Sequence, residues 1–197
     1  KSCAFMRRGR RVLSAGLDKR MVVWGSAGKI EQSETPSVKA KGNISTASTP
    51  RALRIIDGAH TDFILAVAVH TRPVKEKRKK KIGRLSDGSS AALLQETEDL
   101  VASISKAGEV IVWNMDAAEG HSCVLKNIPI PNGQNGWPCC VNFSRDVEGS
   151  LLVVGCINNV LLVYSTEDFK LHRQIRVQNS GILCVMFTRD SKTLLVG

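Results

Sequence analysis

The residues best suited to chemistry in this 197-residue chain are four histidines and six cysteines, and neither set gathers into a motif. His60, His70, His121 and His172 fall in different parts of the sequence, each among different neighbours. Cys3, Cys123, Cys139, Cys140, Cys156 and Cys184 contain no CxxC pair, and no histidine completes the short paired spacings that a structural zinc site uses. Five of the six stand in apolar runs beside Val, Leu or Phe. A buried cysteine behaves as a small apolar residue, so reduced core thiols are expected, and they suit an intracellular chain. There is no phosphate-cradling glycine loop and no GxSxG, and acids such as Asp62, Asp99, Asp116, Asp146 and Asp190 fall in turn-like stretches without a paired carboxylate. These readings point away from an enzyme and predict neither cofactor nor metal.

Charge offers a second kind of chemistry. The chain carries 28 Lys+Arg against 18 Asp+Glu, a formal net charge of +10. Much of the excess is local. Lys75, Lys77, Arg78, Lys79, Lys80 and Lys81 form the run KEKRKKK, and RRGRR occupies 7–11. Such runs serve as solvated loops, as import addresses or as phosphate-binding patches. This one would neutralise phosphates without reading bases, and no aromatic interleaves it for stacking on single strands. No apolar run approaches the roughly 20 residues of a helical membrane span, so no membrane partner is expected. The expected compartment is the cytoplasm or the nucleus. The chain opens on Lys1 and closes on the unfinished run KTLLVG, which reads as a piece of a longer protein.

The elements that would position any site are repeated. Three segments align on a closing aromatic: RRVLSAGLDKRMVVW (10–24), DLVASISKAGEVIVW (99–113) and GSLLVVGCINNVLLVY (149–164). Each has a short apolar run, a small-residue patch, a polar turn and a second apolar run. The runs are β-branched, too short for helices and split by Asp, Asn or Gly, which reads as a hairpin. Asp18 and Asn158 stand six residues before the aromatic, where a tight turn needs residues that accept φ > 0. An alternating strand precedes each hairpin (SCAFM, ILAVAVH, PCCVNFS, ILCVMFT), and a more polar one follows it (RALRIID, SCVLKNI, FKLHRQIRV). The result is four strands per unit with no amphipathic helix between them.

This pattern resembles the WD-repeat β-propeller family. The resemblance rests on Asp18 with Trp24, Trp113 with Asn114, Asn158 with Tyr164, the GAH at 58–60, and the turns in NFSRDVEGSLLVVG and MFTRDSKTLLVG. It implies an all-β chain: a partial, open β-propeller of four-stranded antiparallel blades, part of a seven-bladed ring. The blades would be 1–57, with an incomplete innermost strand and a disordered insert at 25–51; 58–128, with a basic insert at 72–98; 129–177; and the start of a fourth at 178–197. It also implies structural positions at Ser14, Asp18, Trp24, His60, Ser103, Trp113, Asn158 and Tyr164, with packing roles. No unit holds the full set: Ala107 stands where the second unit needs its turn Asp, and Tyr164 replaces Trp in the third. An open array of this kind is expected to leave apolar faces at both ends, since terminal repeats normally need caps.

Function follows as an expectation. The resemblance implies a scaffold that binds other proteins or peptides on its faces, as a subunit or platform of a multiprotein complex. Candidate contacts are the turns 17–20, 106–108 and 157–159 and the loop PIPNGQNGW, with Lys19, Lys106, Asn135, Trp137 and Asn159 singled out. Trp137 is either exposed as an anchor or tucked between blades. The alternative is a nuclear, nucleic-acid-associated factor in RNA processing or chromatin, using the basic insert for nucleic acid or an import receptor.

Overall fold

The computed structural model describes residues 1–6, 10–25, 51–74, 97–116, 123–130, 136–177 and 181–197. Every regular element among them is a β-strand. The first sheet contains β1 (Ser2–Met6), β2 (Arg11–Ala15), β3 (Met21–Gly25) and β4 (Ala52–Ile56). The second contains β5 (Ile64–Pro73), β6 (Thr97–Ser105), β7 (Glu109–Asn114) and β8 (Val124–Pro129). The third contains β9 (Pro138–Phe143), β10 (Leu151–Cys156), β11 (Val160–Ser165) and β12 (Leu171–Arg176). A pair, β13 (Val185–Phe187) and β14 (Leu194–Val196), follows. In each sheet the spatial order is the chain order, and all pairings are antiparallel. The chain is therefore all-β, built of four-stranded antiparallel meanders in series.

The units repeat at the level of single residues. Val12 pairs with Trp24, Val101 with Trp113 and Leu152 with Tyr164, so the three hairpins share one register. The left-handed residue of each turn stands five before the aromatic: Lys19 (φ 63°), Gly108 (φ 84°) and Asn159 (φ 61°). Asp18 and Asn158, the expected φ > 0 positions, are each one residue early. At the positive-φ position the carbonyl points back across the sheet. Lys19 O accepts from Ala59 N at 3.1 Å, Gly108 O from Ile130 N at 2.8 Å, and Asn159 O from Val177 N at 2.8 Å. Each outer strand also carries a bulge at the same place, with Leu53, Leu125 and His172 as the extra residue. The next residue is basic every time: Arg54, Lys126 and Arg173, opposite Val23, Val112 and Val163.

Packing explains why the inner runs are continuous rather than alternating. Successive first strands are neighbours: β1 lies beside β5, β5 beside β9, and β9 beside β13. The middle strands of the second and third sheets are buried on both faces. Leu100, Ala102 and Ile104 share a core with Leu152, Val154 and Leu162 of the third sheet. Val101, Ile111 and Trp113, on the other face, share one with Met6, Leu13 and Val23 of the first. Val153 and Leu161 pack against Val185 and Phe187. No sheet could hide its apolar residues alone; burying a Leu or Val contributes about 1.5–3 kcal/mol only when the next sheet supplies the opposing wall. The closing aromatic faces the preceding sheet. Trp113 (3% exposed) and Tyr164 (4%) are therefore buried, while Trp24, in the first of the described sheets, is only half-buried. The two ends of the series leave apolar side chains open, with Phe5 74%, Met186 51% and Leu195 56% exposed.

Three expectations need correction. The basic insert does not begin at 72 or end at 98: the β5–β6 ladder runs on through Thr71↔Asp99 and Arg72↔Glu98 to Pro73↔Thr97. The insert at 25–51 loses its flanks similarly, since Gly25 ends β3 and its N–H bonds Arg51 O at 3.0 Å. The cysteines are all free, but Cys3 and Cys184 are exposed and not in the core. Both lie on first strands or their extensions, where one face is uncovered. Cys140 and Cys156 are buried, and burial pushes their thiols up to about 12 and about 11, which keeps them neutral and inert.

Sheet spacing also depends on one glycine. Gly149, in the β9–β10 turn, has φ +58°, and a Cβ there would stand 2.4 Å from the His70 ring. His70 itself reaches Val147 O at 3.2 Å and packs on Phe143. Gly149→Ala is expected to destabilise by at least about 1–2 kcal/mol from the backbone conformation alone. In a His70→Ala background the same change should cost less, because only the backbone component remains. Urea midpoints of the four proteins in this cycle check it.

Candidate functional site

The turns joining second to third strands and the segments leading into first strands meet on one side of the series. There the residue just before β5 is Phe63, and the residue just before β9 is Trp137. Both carbonyls are held by the neighbouring turn: Lys106 N donates to Phe63 O at 3.0 Å, and Ile157 N to Trp137 O at 3.1 Å. Fixing the backbone this way presents the side chains outward. Phe63 is 41% and Trp137 45% exposed, with Leu17 (53%) in the equivalent turn of the first sheet and Leu183 (68%) beside β13. Trp137 is thus exposed rather than tucked between sheets. The pair Phe63 and Trp137 occupies equivalent positions on adjacent sheets and forms an apolar rim.

The other candidate contacts divide. Lys106 is exposed on the same turn and lies next to Phe63 in the hydrogen-bond pattern. Lys19 is engaged: its Nζ donates to Thr61 O at 2.8 Å, tying the first sheet to the loop that enters the second. Asn159 serves the turn through its positive φ. Asn135 and the basic residues Lys75, Lys77, Arg78, Lys79, Lys80 and Lys81 lie outside the described residues. What is described of the basic insert is its stem. Arg72 Nε bonds Glu98 Oε1 at 2.7 Å, and Thr71 Oγ1 bonds Asp99 Oδ1 at 2.6 Å, which ties together the ends of β5 and β6.

Beneath the rim runs a buried polar chain. Trp113 Nε1 donates to Ser103 Oγ at 2.7 Å, Ser103 Oγ lies 2.6 Å from His60 Nε2, and His60 Nδ1 lies 3.1 Å from Glu109 Oε2. One tautomer satisfies every link: Ser103 O–H donates to Nε2, and Nδ1–H donates to the carboxylate. Burial holds the His60 pKa below its ordinary value of 6.5, against the pull of Glu109, so the contact joins a neutral imidazole to a carboxylate. Burial pushes Glu109 up, but donors from Thr61 N–H, His60, Thr61 Oγ1 and Ser105 Oγ outweigh it and hold the carboxyl below 4.5.

Ser103, His60 and Glu109 have the order of a hydrolase triad, but not its function. Ser103 is 0% exposed and His60 4%, and the Ser103 oxygen already accepts the indole N–H. A nucleophile must reach its substrate. The chain instead clasps the entry loop of the second sheet to its middle strands. Among the described residues, no three His, Cys, Asp or Glu side chains converge as a metal site requires.

Glu109 is the residue that sequence reading missed. The turn position held by Asp18 in the first unit is Ala107 in the second, but the carboxylate enters two residues later, at the first position of β7. An acid directly after the Gly108 turn was the available signal. In the first sheet only Ser14 and Trp24 bond, at 2.8 Å; Asp18 is exposed and accepts from Arg20 N. In the third, Val154 occupies the Ser position and Asn158 is exposed, so Tyr164 sits in an apolar seam where burial pushes its phenol up to about 12. Set against known proteins, the chain matches no family model, and no curated protein matches it.

Proposed function

We propose that this chain is a WD-repeat-type partial β-propeller acting as a protein-interaction scaffold, a subunit or platform in a multiprotein complex, with the rim of Phe63, Trp137 and Lys106 as its contact surface. The reading is carried by the rim: two aromatics at equivalent positions of adjacent sheets, about half-exposed and anchored by backbone bonds from the next turn. Exposed aromatics on a rigid frame bury large area on association at low entropic cost, which is why they dominate contact energetics. The series of four-stranded sheets with first strands side by side supports the propeller reading.

A second reading, a nuclear nucleic-acid-associated factor, is favoured by the stapled stem. The Arg72–Glu98 and Thr71–Asp99 contacts brace the ladder from whose first strand the most basic run of the chain continues in sequence. One experiment separates the two. Partners co-purifying with the intact chain are compared with those of Phe63→Ala/Trp137→Ala and of a chain in which 75–96 is replaced by a short turn. Loss of protein partners only in the aromatic variant supports the scaffold; retention there, with loss of RNA or import factors in the excised chain, moves the function to the basic run.

A further inference from the structure

We infer that Glu109 is a positioning residue for the rim: its carboxylate sets where Phe63 stands, while Trp137 is set independently by the packing of Gly136. The inference rests on the rim being the contact surface. Residues 57–63 lie between β4 and β5 outside any strand, so whatever holds them decides where Phe63 projects. Glu109 Oε2 accepts from Thr61 N at 3.2 Å and Oε1 from Thr61 Oγ1 at 3.0 Å, two residues before Phe63. Glu109 Oε2 also accepts from Ser105 Oγ at 3.1 Å, one residue before Lys106. Lys106 N in turn donates to Phe63 O at 3.0 Å. These bonds close a ring that runs through Thr61, Asp62, Phe63, Lys106, Ser105 and Glu109 back to Thr61. Bonds to an ionised carboxylate are stronger than neutral ones, so Glu109 is the firmest link between loop and turn. The first sheet adds a further tie, from Lys19 Nζ to Thr61 O at 2.8 Å. Removing the carboxylate opens the ring between Thr61 and Ser105.

The third sheet reaches the same result by other means. Val160 opens β11 where Glu109 opens β7, so that position offers no carboxylate. Gly136, just before Trp137, has φ +65°, and a Cβ on it would stand 2.6 Å from Ile157 Cγ2 and 2.8 Å from Asn158 Cγ. Such a close approach at positive φ suits glycine alone. It brings the chain against the β10–β11 turn, where Ile157 N donates to Trp137 O at 3.1 Å. The two aromatics therefore have equivalent places and separate supports, and either can be displaced without the other.

Hydrogen exchange of two backbone amides, read by NMR on the whole chain, tests this, because the Lys106 and Ile157 amides donate to the Phe63 and Trp137 carbonyls. Glu109→Ala should lower protection of the Lys106 amide roughly tenfold and leave that of Ile157 within about twofold. Gly136→Ala should do the reverse. Thr61→Ala, at an exposed residue, removes one of the bonds to Glu109 and should lower Lys106 protection about threefold. The inference is overturned if both amides lose protection alike, which is what a general loss of stability gives. It is also overturned if the Lys106 amide is unchanged in Glu109→Ala, or in Thr61→Ala should the first variant not fold. Partner retention separates this inference from the rim reading. Glu109→Ala should weaken the same partners that Phe63→Ala/Trp137→Ala loses. If it retains them at full strength, the positioning role falls and the rim stands; if the aromatic variant itself loses no partner, the rim reading falls.

Discussion

Trp113→Ala is expected to cost about 3–5 kcal/mol of folding stability, the range for removing a buried aromatic from a core. Such a loss is a large part of the roughly 5–15 kcal/mol that holds a domain folded. Trp113 is 3% exposed and fills the seam between the first and second sheets beside Met6, Leu13 and Val23. Its removal opens a cavity and also withdraws the N–H donor from Ser103. Trp113→Phe keeps an aromatic ring but loses both the N–H donor and the volume of the indole's second ring, so an intermediate cost is expected. Trp24→Ala is the decisive comparison. Trp24 has the same place in the repeat and bonds Ser14 in the same way, yet among the described residues no sheet lies against it from before. Its loss should cost well under half as much. Urea midpoints and slopes give both values. Equal costs for the two tryptophans would mean that the closing aromatic stabilises its own sheet rather than the seam.

That contrast shows what the sequence could and could not carry. The hairpins were legible because they are local: two apolar runs, a turn and an aromatic lie within one short window, and three such windows align. Four strands per unit and their order followed from the same alignment. The exact turn residue was not legible, because in the first hairpin the positive φ falls on Lys19 although Asp18 accepts it more readily, so local preference is overridden. The backbone assigned it to Lys19, Gly108 and Asn159, whose carbonyls must reach a residue one to three places beyond the fourth strand. The bulges at Leu53, Leu125 and His172 were hidden for a related reason. A bulge is a count of two residues against one, and that count exists only once the partner strand is in register. Exposure of Trp137 was undecided for want of a neighbour, and the Ile157–Trp137 backbone bond supplies it. Glu109 required more than local reading, since it meets His60 across 49 residues of chain.

Glu109→Ala should cost about 2 kcal/mol, because it leaves the buried His60 Nδ1–H without an acceptor. Thr61 is exposed and can turn its donors to water; His60, at 4% exposure, cannot. Glu109→Asp shortens the side chain by one methylene and should recover only part of the loss, since the carboxylate must span Thr61, Ser105 and His60 together. Acid separates the two titrating partners. The folded state holds both pKa values below the unfolded ones, so over each range the unfolded chain binds more protons and stability falls as pH falls. For His60 the loss begins as pH drops below 6.5 and is complete below its lower folded value. For Glu109 the contribution is fully present above 4.5 and disappears as pH falls through its depressed folded value. Because Glu109 raises the His60 pKa, its removal lowers that pKa further, so the stability difference between wild type and Glu109→Ala should hold or widen as pH falls from neutrality towards 4.5 and shrink once the carboxylate protonates. Equilibrium unfolding across that range measures it. A difference that stays flat down to pH 3 would show that Glu109 acts through its shape and not its charge, and the clasp on His60 would then owe nothing to the carboxylate.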